Sequence, residues 1–299
     1  MNTIELAKAY APMLAEAFKK ESLTQILETN SKRALYEGAA ADEVKIPILS
    51  TDGLGNYSKA DGYPDGAVSL SWETRKLTQD RGRRFNIDTV ENMESLGLVV
   101  SRLLSDFQRS KVVPEVDAYR FSKIALGSAT GNRANASITT GANLEKAVNE
   151  AGVALDNEEV PRENRVLFLT PAMLNLLKSQ ISRFVLNDEN NIKREVLTYD
   201  GMAVVAVPEN RFYSGITIGA NGFSNSGVKL NFMVVHKDSV IPVVKHNPIR
   251  LFSPEENQDA DAYLLVYRLY HDLFIQPNKQ NGIYVHSATA ITTTSTTTP

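Results

Sequence analysis

A glycine-rich stretch between two strand-like segments constrains the fold of this chain more than any other feature. Residues 44–49 are strand-like, and residues 52–66 then hold four glycines and one proline among polar side chains. Over residues 68–73, apolar and polar side chains alternate, a period of two that is typical of a half-buried strand. A connection this long is unusual inside a compact domain. The pattern therefore predicts a long hairpin that projects from the body of the protein and is covered by something else.

A short amphipathic arm is predicted ahead of the hairpin. Apolar side chains recur at three- and four-residue spacing over residues 4–28, which places them on one face of a helix. Pro12 lacks an N–H and clashes with the preceding turn, so the helix should break or restart there. Alone, this arm has little to pack against.

Behind the hairpin the apolar pattern changes to a helical period. Asp88 and Glu91 have the spacing of a capping box, and apolar residues follow at helical spacing as far as Phe107. This predicts a helix of roughly 20 residues, or ~30 Å. Pro114 is well placed to open a second helix, which Gly127 is expected to end.

The remainder of the chain mixes helices and strands. Residues 127–141 form a polar loop, and a helix is predicted from about Ala142 to Ala151. Thr170 and Pro171 can cap and begin the next helix, and Asp200-Gly201 favours the tight turn of a hairpin. Strands are predicted at residues 166–169, 196–199, 202–207, 229–235, 240–245 and 263–275. Together these elements predict an α+β fold.

Composition and charge restrict the function classes. Among 299 residues there is no cysteine, which excludes a disulfide framework and thiolate chemistry. The formal net charge is −3, whereas a protein held on nucleic acid by its overall charge would be basic. No stretch approaches the ~20 apolar residues that span a bilayer, and the start of the chain is unlike a secretory signal. We expect a soluble protein with at most weak DNA contact.

Patterns that would indicate catalysis or cofactor binding are weak. The loop at 127–141 lacks the Gly-Lys-Ser/Thr ending of a phosphate-binding loop, and no Gly-x-Ser-x-Gly elbow is present. The histidines lack the i, i+4 spacing of paired metal ligands on a helix, so surface or hydrogen-bonded positions are expected for His236, His246, His271 and His286. We predict no catalytic site, no cofactor and no metal site.

Two oppositely charged segments remain as candidate contact surfaces. Residues 75–84 carry a net charge of +4 through Arg75, Lys76, Arg81, Arg83 and Arg84. Residues 255–261 carry −4 through Glu255, Glu256, Asp259 and Asp261. The acidic segment lacks the glycine and closing glutamate of a helix-loop-helix calcium site, so a solvated turn is expected. For the basic run, a solvated face and DNA contact stay open, and the preferred hypothesis is contact with the acidic segment of a neighbouring subunit.

Two longer segments carry a resemblance to a known family. Residues 69–95 (SLSWETRKLTQDRGRRFNIDTVENMES) and residues 245–286, which end in a Gly-Ile-Tyr segment, are the ones concerned. They resemble the descending arm with the start of the spine helix, and the C-terminal return strand, of tailed-bacteriophage major capsid proteins of the Hong Kong 97 type. The order of parts also matches over roughly residues 40–286.

The resemblance implies a division of the chain and a self-assembling function. It implies an N-terminal arm (1–40), an extended hairpin loop (41–88), a peripheral domain (89–139 and 247–285), an axial domain (140–246) and a flexible tail (286–299). The hairpin is expected to lie across a neighbouring subunit. Pentamers and hexamers would form an icosahedral shell around double-stranded DNA, part of the virion capsid and assembled in the host bacterial cytoplasm.

The resemblance implies further partners, and two competing functions stay open. The arm of about 40 residues resembles family members that use a separate scaffolding protein, or an already processed chain. A portal protein, decoration proteins and weak non-specific contact with packaged DNA are further expectations, and no membrane partner is expected. The alternatives are an encapsulin-type nanocompartment shell with the same fold and, from another class, a soluble hydrolase with an unrecognised site.

Overall fold

The computed structural model describes most of the chain behind the N-terminal region. The described ranges are residues 22–28, 43–59, 62–63, 65–89, 105–180, 185–186, 192–193, 198–246 and 249–291. The predicted helix over residues 4–28 lies mostly outside these ranges, as do residues 90–104 of the predicted long helix and the threonine-rich end from residue 292.

Sixteen strands and three α-helices are assigned within the described residues. The strands are β1 Glu43–Thr51, β2 Val68–Lys76, β3 Gln79–Asp88, β4 Arg133–Asn135, β5 Arg165–Leu169, β6 Val185–Leu186, β7 Ile192–Lys193, β8 Thr198–Tyr199, β9 Met202–Ala206, β10 Ile216–Gly219, β11 Gly222–Asn225, β12 Leu230–His236, β13 Val240–His246, β14 Ile249–Phe252, β15 Ala262–Ile275 and β16 Ile283–Ser287. The helices are α1 Val113–Gly127, α2 Gly141–Asn157 and α3 Pro171–Gln180.

A six-stranded mixed sheet forms the centre of the larger lobe. Its strand order is β4-β16-β12-β5-β9-β8, with β4 parallel to β16 and β5 parallel to β9. The strands β16, β12 and β5 are buried along their whole length. Strands covered on both faces need continuous apolar runs, which explains why these three segments lack a clear alternation.

Helices cover both faces of this sheet. On β5, Val166 and Phe168 belong to the cluster that includes Phe121 of α1, whereas Leu167 and Leu169 belong to the cluster of α2 and α3. Successive strand side chains point to opposite faces, so a single strand supplies both cores. The lobe is therefore a three-layer α/β/α arrangement.

A second sheet is organised around the long strand β15. One edge of β15 pairs with β3 over ten residues, and the other edge pairs with β14 and then with β13. Val116 of α1 packs against Tyr267 and Leu269 of β15. Since α1 contacts both sheets, it joins the two halves of the molecule.

The predicted hairpin is confirmed. The strands β1 and β2 pair antiparallel over nine residues, from Glu43↔Lys76 to Thr51↔Val68. At its base, Val44 and Ile46 pack against Ile241 and Val243 of β13. Beyond the base, the strands and the tip are exposed. Residues 79–88, which the resemblance includes in the loop of residues 41–88, form β3 and pair with β15.

The helical segment before α1 departs from expectation. Residues 105–107 are helical and pass through a π-helical turn, Gln108–Val112, directly into α1. Pro114 lies in the first turn of α1, as predicted, but α1 continues directly from the preceding helical segment. Val113 donates its N–H to the carbonyl of Gln108, and this wider turn accommodates the residue without an N–H that follows.

The capping and turn residues agree better with the predictions than this helical segment does. Thr140 caps α2, accepting a hydrogen bond from the N–H of Asn143, and α2 runs six residues beyond the predicted end. Asp200 and Gly201 have φ of 47° and 75°, the left-handed pair that a two-residue hairpin turn requires. The polar loop at 127–141 contains the short strand β4, which pairs with β16 at the edge of the main sheet.

Candidate functional site

The free part of the hairpin presents one continuous apolar strip. The pairs Leu49↔Leu70, Pro47↔Trp72 and Thr51↔Val68 place these side chains on the same face of the β1–β2 ladder. The exposed fractions of Leu49, Val68, Leu70 and Trp72 are 65%, 72%, 59% and 48%. An exposed apolar strip of this size on a projecting element is typical of an interaction surface.

A buried carboxylate also holds the chain where the hairpin joins β3. Thr78, between β2 and β3, donates both its N–H and its hydroxyl to Asp272 Oδ2 at 2.9 Å. The Tyr119 hydroxyl donates to the other oxygen of Asp272 at 2.6 Å, and burial together with this carboxylate raises the Tyr119 pKa. Since Asp272 lies on β15 and Tyr119 on α1, the base of the hairpin is held by both elements.

The first two residues of the basic run pair along the hairpin itself. Arg75 lies 2.6 Å from Glu73, and Lys76 lies 3.9 Å from Glu43 on the opposite strand. Exposed pairs of this kind contribute only ~0–1 kcal/mol. Because Arg75 and Lys76 are paired with carboxylates, the remaining net positive charge of residues 75–84 lies on β3.

Two arginines of β3 hold the β10–β11 turn. Arg81 forms an ion pair with Glu115 of α1 at 2.7 Å and donates to the carbonyl of Gly219 at 2.8 Å. Arg83 donates to the carbonyl of Ala220 at 3.1 Å. These side chains therefore have a role within their own subunit, which the local charge pattern did not indicate.

The basic run and the acidic segment also meet within one subunit. Arg84 lies 3.6 Å from Asp259, and both side chains are largely exposed. Asp261 accepts from the hydroxyl of Thr89 at 3.0 Å. Glu255 and Glu256 are exposed, as expected of a solvated acidic turn. Contact between the two segments across a subunit boundary stays a prediction.

The described histidines are buried, not on the surface. His236 Nδ1 accepts from the N–H of Asp238, and His286 Nδ1 lies 3.1 Å from the Asn231 amide nitrogen. His271 departs from the expectation of hydrogen-bonded histidines, because its Nδ1 is buried and has no partner among the described residues. The side chain of His246 lies outside the described part.

The environment of His271 explains its electrostatics. The ring packs edge-on against Tyr119, with 5.5 Å between ring centroids. Burial lowers the His271 pKa to about 3, and the positive charges of Arg120 and Arg81 act in the same direction. The imidazole is consequently neutral at physiological pH.

A cavity of about 220 Å³ lies beside His271. The β3 strand, the helical segment around residues 107–116, the β10–β11 turn and β15 enclose it. Its apolar lining includes Phe85, Phe107, Val112, Val116 and Leu269. Because four distant segments supply these walls, no local pattern predicts the cavity. In the sequence, only the alternation of Tyr267, Leu269 and His271 indicates that these three side chains share one face of β15.

The described ranges contain neither a metal-binding cluster nor a membrane-spanning helix. There, no group of three or more histidine, aspartate or glutamate side chains is placed to hold a metal ion. No helix within the same ranges combines the length and apolar character needed to cross a bilayer.

Solved structures match this fold over most of the chain. The capsid of the cyanophage P-SCSP1u is 14% identical, with a TM-score of 0.58 and coverage of 83% of this chain and 84% of that one. The mature capsid of bacteriophage PhiM1 is 11% identical, with a TM-score of 0.57 and coverage of 83% and 82%. The chain has the Hong Kong 97-type fold. The capsid of an empty GTA particle, 12% identical, has a TM-score of 0.56 and coverage of 88% and 90%.

The expected Hong Kong 97-type fold is thus confirmed by structure and not by sequence. No protein-family model and no curated protein matches the chain. At 11–14% identity, the likeness to these structures lies in the fold.

Proposed function

We propose that this chain is a major capsid protein of a tailed bacteriophage, which assembles with copies of itself into an icosahedral shell around double-stranded DNA. The observation that carries the proposal is the exposed apolar strip on the hairpin, in a fold that the chain shares with phage capsids. An apolar strip that stays about half or more exposed in the described structure favours a partner that covers it. In a closed shell, the neighbouring subunit provides that cover.

The free energy of assembly would come from one weak apolar contact that is repeated in every subunit. Fully burying a large apolar side chain contributes about 1.5–3 kcal/mol, so the half-exposed side chains Leu49, Val68, Leu70 and Trp72 would each contribute roughly 1 kcal/mol when covered. Every subunit of a shell repeats the contact. Weak individual contacts thus support a stable assembly and still allow errors to be corrected during growth.

Several finer elements belong to the same proposal. The subunits form pentamers and hexamers, a separate scaffolding protein guides them, and a portal protein and decoration proteins complete the particle. The shell is assembled in the host bacterial cytoplasm and becomes the virion capsid. The packaged DNA is contacted weakly and without sequence preference, and the subunit acts without catalysis or cofactor. The domain division inferred from the family belongs here too.

Contact between the basic run and a neighbour's acidic segment is a further part of the proposal. Arg84→Glu is the cleanest change, because Arg83 also holds the β10–β11 turn. It should weaken assembly without unfolding the subunit, and Glu255→Arg should restore part of it. Normal assembly of the Arg84→Glu subunit would remove the support for this contact.

Electron microscopy tests the proposed function. Expressed with its scaffolding protein, the chain should form closed shells tens of nanometres across. The matched control replaces Val68, Leu70 and Trp72 by serine, which leaves the buried base of the hairpin unchanged. That variant should remain folded by circular dichroism and fail to assemble. A wild-type chain that stays monomeric under all salt and scaffold conditions would overturn the proposal.

A further inference from the structure

Two asparagines in the chain are each followed by a glycine. They are Asn221 and Asn281, which precede Gly222 and Gly282. Because glycine has no side chain, its backbone can approach other groups closely, so its nitrogen can reach the amide carbon of the preceding asparagine and displace ammonia. These two positions are therefore the ones at which the chain is most open to spontaneous deamidation. The structure gives them opposite surroundings.

Asn221 lies in an exposed turn at the end of a short ladder. The strands β10 and β11 form four pairs, and Gly219↔Gly222 is the last of them. Ala220 and Asn221 form the turn beyond this pair, and both are exposed. Local opening is easiest where a ladder ends in solvent. The backbone nitrogen of Gly222 is thus readily released from the ladder to act as a nucleophile.

An arginine of β3 lies at the Asn221 side chain. Arg83 donates from Nη2 to Asn221 Oδ1 at 3.4 Å and from Nη1 to the carbonyl of Ala220 at 3.1 Å. Attack on the amide carbon turns Oδ1 into an oxyanion, and a cation already placed at that oxygen stabilises the charge as it develops. The turn therefore has both a nucleophile and a group that stabilises the intermediate.

Asn281 lies in surroundings that oppose the same reaction. Its side-chain nitrogen donates to Glu158 Oε2 at 2.7 Å, so a carboxylate lies beside this amide. Its backbone carbonyl accepts from Asn132 Nδ2 at 2.9 Å. Gly282 is buried, and a Cβ at that position would collide with Ser239. A neighbouring negative charge disfavours an anionic intermediate, and close packing opposes the backbone rotation that the attack needs.

We propose that Asn221 is a site of spontaneous deamidation in the folded subunit, with Arg83 stabilising the intermediate. The backbone nitrogen of Gly222 gives its proton to solvent and attacks Cγ of Asn221. A C–N bond forms, the Cγ–Nδ2 bond breaks, and Nδ2 takes a proton from solvent and leaves as ammonia. Water then opens the five-membered imide at one of its two carbonyl carbons. The product is aspartate or isoaspartate at position 221, with one water consumed and one ammonia released.

The new carboxylate changes the charge of the basic run. It forms where Arg83 already donates to a neutral amide, and a charge-assisted hydrogen bond replaces the neutral one. Arg83 is then neutralised within its own subunit, and the subunit gains one negative charge. An aged subunit therefore has a less basic β3 than a new one, and the change runs in one direction only.

Mass spectrometry of the unassembled full-length chain tests this site, independently of whether shells form. The folded chain is incubated at mildly alkaline pH in water labelled with a heavy oxygen isotope, so that conversion during later digestion is not counted. Peptides with residue 221 should take up the label at least about tenfold faster than peptides with residue 281. In urea, where the surroundings are lost, the two rates should become similar. Equal rates in the folded chain, or a faster reaction at Asn281, would overturn the inference.

Substitutions of Arg83 test its role in the reaction. Arg83→Gln removes the cation, so Asn221 should react several-fold more slowly, and Arg83→Lys should restore part of the rate. Lys111→Gln is the matched control, because Lys111 lines the same cavity as Asn221 and makes no hydrogen bond to it within the described residues. It should leave the rate unchanged. Circular dichroism checks that each variant is folded. If folded Arg83→Gln reacts as fast as the wild type or faster, the arginine does not promote the reaction.

Discussion

Replacing Asp117 should release the N-terminal segment from the body of the subunit. This carboxylate is fully buried in α1 and accepts hydrogen bonds from the hydroxyls of Ser22 and Thr24, both at 2.8 Å, and from the N–H of Leu23 at 3.1 Å. Arg211 forms an ion pair with it at 3.4 Å. Residues 22–28 are therefore fixed to α1 by a charge that has no access to water.

The expected magnitude follows from these contacts. Hydrogen bonds to a charged group contribute about 1.5–3 kcal/mol each, and removing one partner of a buried ion pair typically costs about 3–5 kcal/mol. Asp117→Asn keeps the side-chain volume and removes the charge. The buried cation Arg120, which donates to Thr24 at 2.9 Å, would lose its ordered partner as well. We expect a loss of about 3–5 kcal/mol in the free energy of unfolding.

Urea unfolding of the unassembled subunit measures this loss. The matched control is Asp106→Asn, an exposed aspartate in the helical segment that leads into α1, which should change stability by less than about 0.5 kcal/mol. Ser22→Ala should have its full effect in the wild-type background and almost none in Asp117→Asn. If Asp117→Asn costs less than about 1 kcal/mol, the segment is not held by this carboxylate and the reasoning is wrong.

Three further predictions concern the tip, the buried histidine and a glycine contact. Limited proteolysis should cut residues 52–66 in free subunits and much less in shells, and equal protection in both states would show that the tip packs on its own subunit. Because the His271 pKa falls from 6.5 to about 3 on folding, the unfolded chain binds a proton below about pH 6.5 that the folded chain does not. Denaturant titrations should therefore show the free energy of unfolding decreasing as the pH is lowered from about 6.5 to about 3, by at most about 1.4 kcal/mol per pH unit from this residue. His271→Leu should make this pH dependence weaker. If His271→Leu shows the same pH dependence as the wild type, other groups cause the loss of stability in acid. Gly227→Ala places a Cβ against the backbone N of Gly215 and should cost more than about 1 kcal/mol in chemical denaturation, whereas Gly131→Ala, with open space around it, should cost little.

The parts of the fold that the sequence predicted are those set by local chemistry. The alternation over residues 68–73 and the long polar tip were sufficient to predict the projecting hairpin. Asp200-Gly201 was sufficient to predict the separate turn between β8 and β9, because few residues adopt positive φ. In both cases, a side-chain period or a backbone preference acts within a few residues.

The parts that escaped prediction depend on contacts between distant segments. The three-residue strand β4 has no apolar pattern, and it exists because β16 offers a free edge. The pairing of β3 with β15 joins residues nearly 200 positions apart, so the arginines of β3 gave the impression of a free basic arm. Likewise, Ser22 and Asp117 are 95 positions apart, and nothing near either residue indicates their bond.

The π-helical turn shows a different limitation. Pro114 is usually a sign of a helix start or a break, and the sequence gives no cue that a wider turn will absorb it. The choice depends on what the helix packs against, and here Val112, Val113 and Val116 all contact β15. Continuous packing on that strand favours an unbroken helix.

The pairing of β3 with β15 also determines how the subunit bears mechanical load. A pull on the hairpin tip passes down β2, through Thr78, and into a strand whose ten residues are all paired with β15. Antiparallel hydrogen bonds lie across the strand direction, so a force along β3 stretches the whole ladder at once and does not open it one bond at a time. A load that runs along β3 is therefore carried in shear, with all ten pairs sharing it. A container under outward pressure would transmit tension between its subunits along this line.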